Sequence, residues 1–176
     1  NFLNQMGADI KGAGTDKIVI NGVESLHGGT YSIIPDQIEA GTYMAAVAAC
    51  GGDVLIKNVI PKHLECIGTK LEDMGVKIEM YDDSIRVIRN GPLRHTNLKT
   101  MPYPGFPTDM HPQMAAAMVL ADGSSHITEG VWPNRFRYAE ELEKMGAHIS
   151  VFKETAVIEG VPDLFGTDVV AHDLRA

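Results

Sequence analysis

Apolar and polar positions along this chain fall into a pattern that recurs. Met6-Gly7-Ala8-Asp9-Ile10, Met74-Gly75-Val76-Lys77-Ile78 and Met145-Gly146-Ala147-His148-Ile149 are three versions of one phrase, 68 and 71 residues apart. In each, a helix-like run stops at a glycine, the residue that takes the left-handed cap conformation without a Cβ penalty, and an alternating strand-like run follows. Val59-Ile60-Pro61-Lys62-His63 returns 72 residues later as Val131-Trp132-Pro133-Asn134-Arg135, and acids follow strand-like runs at Asp36, Asp109 and Asp173. Such self-similarity is the mark of a repeated supersecondary unit.

The first full copy predicts an extended run over 30–34 and a helix opened by Pro35-Asp36, with Asp36 and Glu39 spaced as a cap, through residue 49. A strand over 53–59, a second helix from Pro61 to Met74 and a hairpin over 76–80 and 85–88 follow. The second copy predicts a strand from about Asn97, a helix over 109–120, a strand over 126–131, a helix over 134–145 and a hairpin ending at Ile158. The order β-α-β-α-β-β gives an α/β (α+β) fold of repeated units. Residues 1–29 are expected to be the end of a repeat belonging to another lobe, and 30–176 the main lobe, with full repeats over about 30–93 and 94–163 and the start of a third over 164–176. The chain opens on Asn1-Phe2-Leu3 and both ends fall inside units, so a segment of a larger protein, incomplete at both ends, is expected.

Composition narrows the partners. Against 15 Lys and Arg there are 23 Asp and Glu, a formal charge of −8, and the basic residues are dispersed. Nucleic acid and an anionic membrane surface are therefore not expected as partners, and no run reaches the length of a membrane span. A small anion remains compatible, because distant charge is screened within about 10 Å. Cys50 and Cys66 show no metal-ligand spacing and read as reduced thiols on buried helix faces of a cytoplasmic protein. Neither a metal nor another cofactor is expected.

Chemistry concentrates where the two copies differ. The first runs directly through Ile34-Pro35-Asp36, whereas the second inserts Tyr103-Pro104-Gly105-Phe106-Pro107-Thr108 between Pro102 and Asp109. Prolines at 102, 104 and 107 hold this loop extended and deliver Asp109 at a fixed position. An insertion in one copy of a symmetric scaffold points to a private task. By position alone Asp109 reads as a helix N-cap. Arg135 replaces His63 of the first copy at an expected helix start, where a cation opposes the macrodipole.

Phe106-Pro107-Thr108-Asp109-Met110, Trp132-Pro133-Asn134-Arg135-Phe136, Pro35-Asp36 with Glu39, and Asp173-Leu174-Arg175-Ala176 together resemble the enolpyruvyl transferases, over essentially the whole chain. The resemblance implies an inside-out α/β barrel of two lobes closing over substrates. It also implies transfer of the enolpyruvyl group of phosphoenolpyruvate to the 3-hydroxyl of UDP-N-acetylglucosamine, the first committed step of peptidoglycan synthesis. On it, Asp109 is the general base on that hydroxyl, Arg135 engages phosphoenolpyruvate, and Thr108, Val131 and Trp132 line the substrate site. Asp173 and Arg175 stand near the catalytic centre. The family's reactive cysteine matches neither Cys50 nor Cys66 and belongs to the remaining lobe of the same chain, so this segment alone is expected to be inactive. A sibling transferase of the 5-enolpyruvylshikimate-3-phosphate synthase type and a non-catalytic repeat-based binding module are the alternatives.

Overall fold

The computed structural model describes residues 1–172, which form two compact units, Asn1–Ile34 and the chain from Pro35 onward. The first unit holds helix α1 (Phe2–Gln5) and an antiparallel pair, β1 (Asp9–Lys11) with β2 (Val19–Asn21). The expected strand over 30–34 does not form. Ile33 is 90% exposed, and extended chain becomes a strand only when a neighbour takes up its backbone groups.

The second unit contains both repeats. The first consists of α2 (Gln37–Cys50), β3 (Gly52–Lys57), a 3-10 turn Pro61–Leu64 leading into α3 (Glu65–Asp73), and the hairpin β4 (Lys77–Met80) and β5 (Ser84–Arg89). Its three-stranded antiparallel sheet has the order β3-β5-β4. The second consists of β6 (Leu93–Arg94), β7 (Asn97–Lys99), a 3-10 turn Thr108–Met110, α4 (His111–Val119), β8 (Ala121–Asp122), β9 (Ser124–Thr128), α5 (Arg137–Lys144), and the hairpin β10 (His148–Phe152) and β11 (Thr155–Glu159). Its main sheet runs β10-β11-β9-β7, antiparallel except for the parallel pair β7 and β9, and β6 pairs in parallel with β8. The content is mixed α/β, and none of the described sheets closes on itself.

The helices divide by their pattern. α2 and α4 are apolar nearly all round and bury Met44, Ala45 and Ala48 of one and Met114, Ala115, Ala117 and Met118 of the other, as helices inside a layered core do. They pack on each other, and Gly41 lets α2 come close, since a Cβ there would stand 2.8 Å from both Met110 Sδ and Ile67 Cδ1. α3 and α5 are amphipathic and cover the outside. Cys66 is half-buried on α3, and burial pushes its thiol pKa up. Cys50 is exposed at the end of α2, contrary to the buried placement expected, because that helix ends one residue later at Gly51.

The repeated phrase has an atomic counterpart. After Met6, Met74 and Met145 the next glycine has φ +97°, +93° and +97°. The glycine N–H donates to Asn4, Glu72 and Glu143, and the following N–H donates to Leu3, Leu71 and Leu142. This is the doubly bonded cap in which a left-handed residue satisfies the last helix carbonyls. In all three places the methionine carbonyl then accepts a further N–H at 3.0 Å, from His27, Arg94 and Phe165. Each helix end is thus tied to chain that returns after the hairpin.

Three expectations fail for local reasons. The second helix of copy two begins at Arg137 rather than 134, because Asn134 adopts φ +58°, a left-handed conformation that turns the chain before a helix can start. Arg135 therefore lies just before the N-cap Phe136 rather than in the first turn of the helix. Residues 109–120 divide into the 3-10 turn and α4. The opening strand expected after Thr167 is absent over 167–172, and residues 173–176 lie outside the described residues.

Substituting Gly75→Ala and Gly146→Ala separates conformation from crowding. Both place Cβ at positive φ, costing about 1–2 kcal/mol. At 146 the Cβ would also lie 2.6 Å from Phe165, whereas at 75 the nearest atom is 3.7 Å away. Equilibrium urea unfolding is expected to show Gly146→Ala as the more destabilising; equal losses would contradict the packing argument.

Candidate active site

β7 and β9 run parallel and end side by side at Lys99 and Thr128, so that Thr100 and Glu129 are the first residues beyond them. The loops that leave these ends, 101–110 and 130–136, carry Thr108 and Asp109 on one and Val131, Trp132 and Arg135 on the other. Five of the seven residues singled out by sequence are thereby brought together. The other two, Asp173 and Arg175, lie outside the described residues. The chain before them is held to α5 by Glu141, which accepts the Val170 N–H at 3.0 Å, lies 2.9 Å from His172 Nε2 and takes two hydrogen bonds from Lys144. Lys144 foremost, with Val170 and His172, draws the Glu141 carboxyl down to about 2.

Backbone bonds as well as prolines stiffen the 101–107 loop. The Met101 N–H donates to the Phe106 carbonyl and the Gly105 N–H to that of Pro102, at 3.0 and 2.9 Å. Phe106 is buried and anchors the loop on the core. Asp109 then falls inside the 3-10 turn, not at an N-cap; the caps of that turn and of α4 are Pro107 and Met110. Asp36, by contrast, does cap, its Oδ1 accepting the Ile38 N–H at 2.8 Å.

The centre of the cluster is Glu129, which is buried. Its Oε1 accepts hydrogen bonds from Thr100 Oγ1 at 2.7 Å, the Val131 N–H at 2.7 Å and the Trp132 N–H at 3.0 Å. Oε2 accepts one from Thr108 Oγ1 at 2.7 Å. Thr100 Oγ1 in turn accepts the Gly130 N–H at 2.8 Å. Burial, the largest single influence, pushes the Glu129 carboxyl up, but the bonds from Thr108, Thr100, Trp132 and Val131 together outweigh it and hold it below the usual range. Glu129 is therefore a carboxylate at neutral pH.

Thr108 passes the connection on. While its hydroxyl donates to Glu129, its oxygen accepts Arg135 Nη1 at 3.1 Å, and Arg135 Nη2 donates to Asp109 Oδ1 at 2.7 Å. The Arg135 and Asp109 side chains are 19% and 37% exposed, and an ion pair this accessible contributes only about 0–1 kcal/mol to folding. Val131 and Trp132 have backbone N–H groups fixed on Glu129, while the Trp132 side chain stands 61% exposed. The arrangement offers a carboxylate and a guanidinium fork at the mouth of two stiff loops, with an aromatic face beside them.

Glu129 was missed by sequence reasoning, though a signal existed. The alternation of β9, continued one residue past its end, puts residues 127 and 129 on one face. Ile127 is fully buried, so an inward carboxylate is what the pattern demands. Leu98 on β7 and Thr100 just beyond it obey the same parity, and both are buried.

Beneath the cluster lies His111, fully buried. Its Nε2 is 2.9 Å from Tyr138 Oη, and Nδ1 lies 3.7 Å from Glu129 Oε2 without a hydrogen-bond partner. The nearby carboxylate favours the proton on Nδ1, leaving Nε2 to accept from the tyrosine hydroxyl, whose own pKa burial raises. Burial drives the His111 pKa down to about 4, with Glu129 opposing and Arg135 assisting. At 3.7 Å the histidine and glutamate are no hydrogen bond, and a neutral imidazole makes no ion pair. Among the described residues no group of three or more His, Cys, Asp or Glu side chains is placed to hold a metal ion, and no helix is long and apolar enough to cross a membrane.

His111 sets a pH dependence. An unfolded histidine takes a proton near pH 6.5, but the folded one does so only near 4, so between these values the unfolded state binds more protons and stability falls as pH falls. The loss is at most about 1.4 kcal/mol per pH unit and about 3 kcal/mol over the whole window. The Glu129 contribution is lost at lower pH, beginning as pH falls into the ordinary carboxylate range and completed below it. His111→Gln, which does not titrate, is expected to flatten urea-unfolding stability between about pH 6.5 and 5; an unchanged slope would contradict the assignment.

The profile of the EPSP synthase (3-phosphoshikimate 1-carboxyvinyltransferase) family matches residues 1–176. Over 175 residues the chain is 62% identical to UDP-N-acetylglucosamine 1-carboxyvinyltransferase 3 of Caldanaerobacter subterraneus subsp. tengcongensis, covering 99% of this chain and 42% of that protein. It is 57% identical over 176 residues to UDP-N-acetylglucosamine 1-carboxyvinyltransferase of Clostridium botulinum, again covering 42% of the relative. The chain thus spans about two fifths of the length of these relatives. Among solved structures, the enolpyruvyl transferase NikO from Streptomyces tendae superposes with a TM-score of 0.76 at 30% identity, over 90% of this chain and 38% of that one. EPSP synthase from Acinetobacter baumannii shares the fold, with a TM-score of 0.56 at 17% identity, over 93% of this chain and 38% of that one. With its whole length matched by the family profile, this chain belongs to the EPSP synthase (3-phosphoshikimate 1-carboxyvinyltransferase) family.

Proposed function

We propose that the full-length protein containing this chain transfers the enolpyruvyl group of phosphoenolpyruvate to the 3-hydroxyl of UDP-N-acetylglucosamine, releasing phosphate. The observation that carries the reading is the Arg135 fork spanning Thr108 Oγ1 and Asp109 Oδ1 on two braced loops; the names of the relatives at 62% and 57% identity support the choice of substrates. Such a reaction needs a base within about 3 Å of the hydroxyl proton and a cation for an anion that develops charge. Asp109 takes the first role. Arg135 takes the second, its paired N–H groups turning to the carboxylate or phosphate of phosphoenolpyruvate. The exposed Trp132 ring and the Val131 backbone line the sugar-nucleotide side.

The same reading places the segment in a lobe of an inside-out α/β barrel, residues 1–29 in the other lobe and 30–176 in two repeats and the start of a third. The remaining lobe supplies the rest of the site, and Asp173 and Arg175 stand close to it. The parent protein works in the cytoplasm at the first committed step of peptidoglycan synthesis, and so in cell shape and division, without a cofactor. A partly accessible ion pair of small stabilising value, placed where the inserted loop meets the loop after β9, favours chemistry over structure.

Asp109→Ala in the full-length protein is expected to lower kcat for phosphate release by at least 100-fold, the low end for loss of a positioned base. A near-normal rate would remove Asp109 from the mechanism, and turnover of shikimate 3-phosphate in place of the sugar nucleotide would move the reading to the sibling transferase.

A further inference from the structure

Glu129 makes no hydrogen bond to Arg135 or Asp109, yet every described candidate residue is within three hydrogen bonds of it: Thr108, Val131 and Trp132 at one, Arg135 at two and Asp109 at three. Oε1 holds the backbone of Val131 and Trp132, and Oε2 holds the Thr108 hydroxyl. Because the Thr108 hydroxyl spends its only proton on Glu129, its oxygen must face Arg135 as an acceptor, which it does at 3.1 Å. The same guanidinium then has its other nitrogen on Asp109. The two carboxylate oxygens thus serve two halves of the site. One fixes the 130–133 backbone, and the other fixes the polarity of a relay that aims the arginine.

We infer that Glu129 is the positioning residue of this site and that it acts through Thr108, setting the Thr108 oxygen as the acceptor that orients Arg135 toward its anion. The inference rests on the transferase reading and adds to it a residue that makes no contact with substrate. Its division of labour predicts a division of kinetic effects. In Glu129→Gln the amide oxygen can stay at the Oε1 position and keep the Val131, Trp132 and Thr100 bonds. The amide nitrogen then replaces Oε2 as a donor facing Thr108. Thr108 loses the acceptor that fixed its hydroxyl proton, and the amide N–H now competes with Arg135 for the Thr108 oxygen, so the aim of the arginine is loosened while the 130–133 backbone stays held.

The test uses the full-length enzyme with phosphoenolpyruvate and UDP-N-acetylglucosamine. Glu129→Gln is expected to lower kcat/KM for phosphoenolpyruvate roughly 10- to 100-fold, the cost of a small misplacement of a reacting group, with KM for the sugar nucleotide unchanged. Thr108→Val should reproduce that pattern and Thr108→Ser, which keeps the hydroxyl, should restore it. The Glu129→Gln/Thr108→Val pair should be no worse than the more damaged single variant, because the two residues form one relay. Where Glu129→Gln fails to fold, the two Thr108 variants carry the same test. Equal effects on both substrates, multiplying losses in the double variant, or a Thr108→Ser enzyme as impaired as Thr108→Val would overturn the inference. Should Asp109→Ala abolish turnover while Glu129→Gln and Thr108→Val leave it intact, the inference fails and the transferase reading stands. Should Asp109→Ala also be harmless, the reading beneath it fails.

Discussion

A buried carboxylate is costly unless its lone pairs are occupied, and Glu129 meets that condition with four donors from three separate segments. The requirement works in both directions. The segments gain from it in turn, since the carboxylate gives the Val131 and Trp132 N–H groups a fixed acceptor where no strand or helix supplies one. Satisfying one buried charge therefore fixes Thr100 at the end of β7, Thr108 on the inserted loop and the first turn after β9. Parallel pairing of β7 and β9 is what lets the loops diverge from adjacent points. Arg135 and Asp109 meet as a consequence.

The repeats supply the frame for this. Three methionine-glycine caps end three helices with the same pair of hydrogen bonds and the same link to returning chain, so equivalent elements arrive at equivalent places. On that frame the second copy departs from the first by one inserted loop, closed on itself by backbone bonds and buried Phe106. Symmetry positions the site, and the departure from symmetry equips it.

Much of this was legible in residue order. The period, the glycine caps, the α-β-α-β-β order that both copies share and the buried methionines and alanines of α4 follow from spacing and side-chain type alone, and the inserted loop stands out by comparison of the copies. Arg135 stands out by its place in the repeat, but it is not in the first turn of a helix, because Asn134 turns left-handed before α5 begins, a conformation that no periodicity reveals. The strand over 30–34 failed because pairing, not propensity, makes a strand. Glu129 was hidden because a lone acid next to a glycine resembles a loop residue; only the parity with buried Ile127 marks it as inward. The return bonds from His27, Arg94 and Phe165 to the methionine carbonyls have no sequence signature, since those three side chains share no chemistry.

The claim on which the rest depends is that Glu129 holds the irregular chain after β9 as firmly as the sheet holds its strands. Amide hydrogen exchange of the full-length protein tests it most directly. Val131 and Trp132 lie outside any strand or helix, but their N–H groups are expected to exchange as slowly as those of β9, from which they are separated by only a few residues. Exchange of both at the rate of unprotected loop amides would contradict the account.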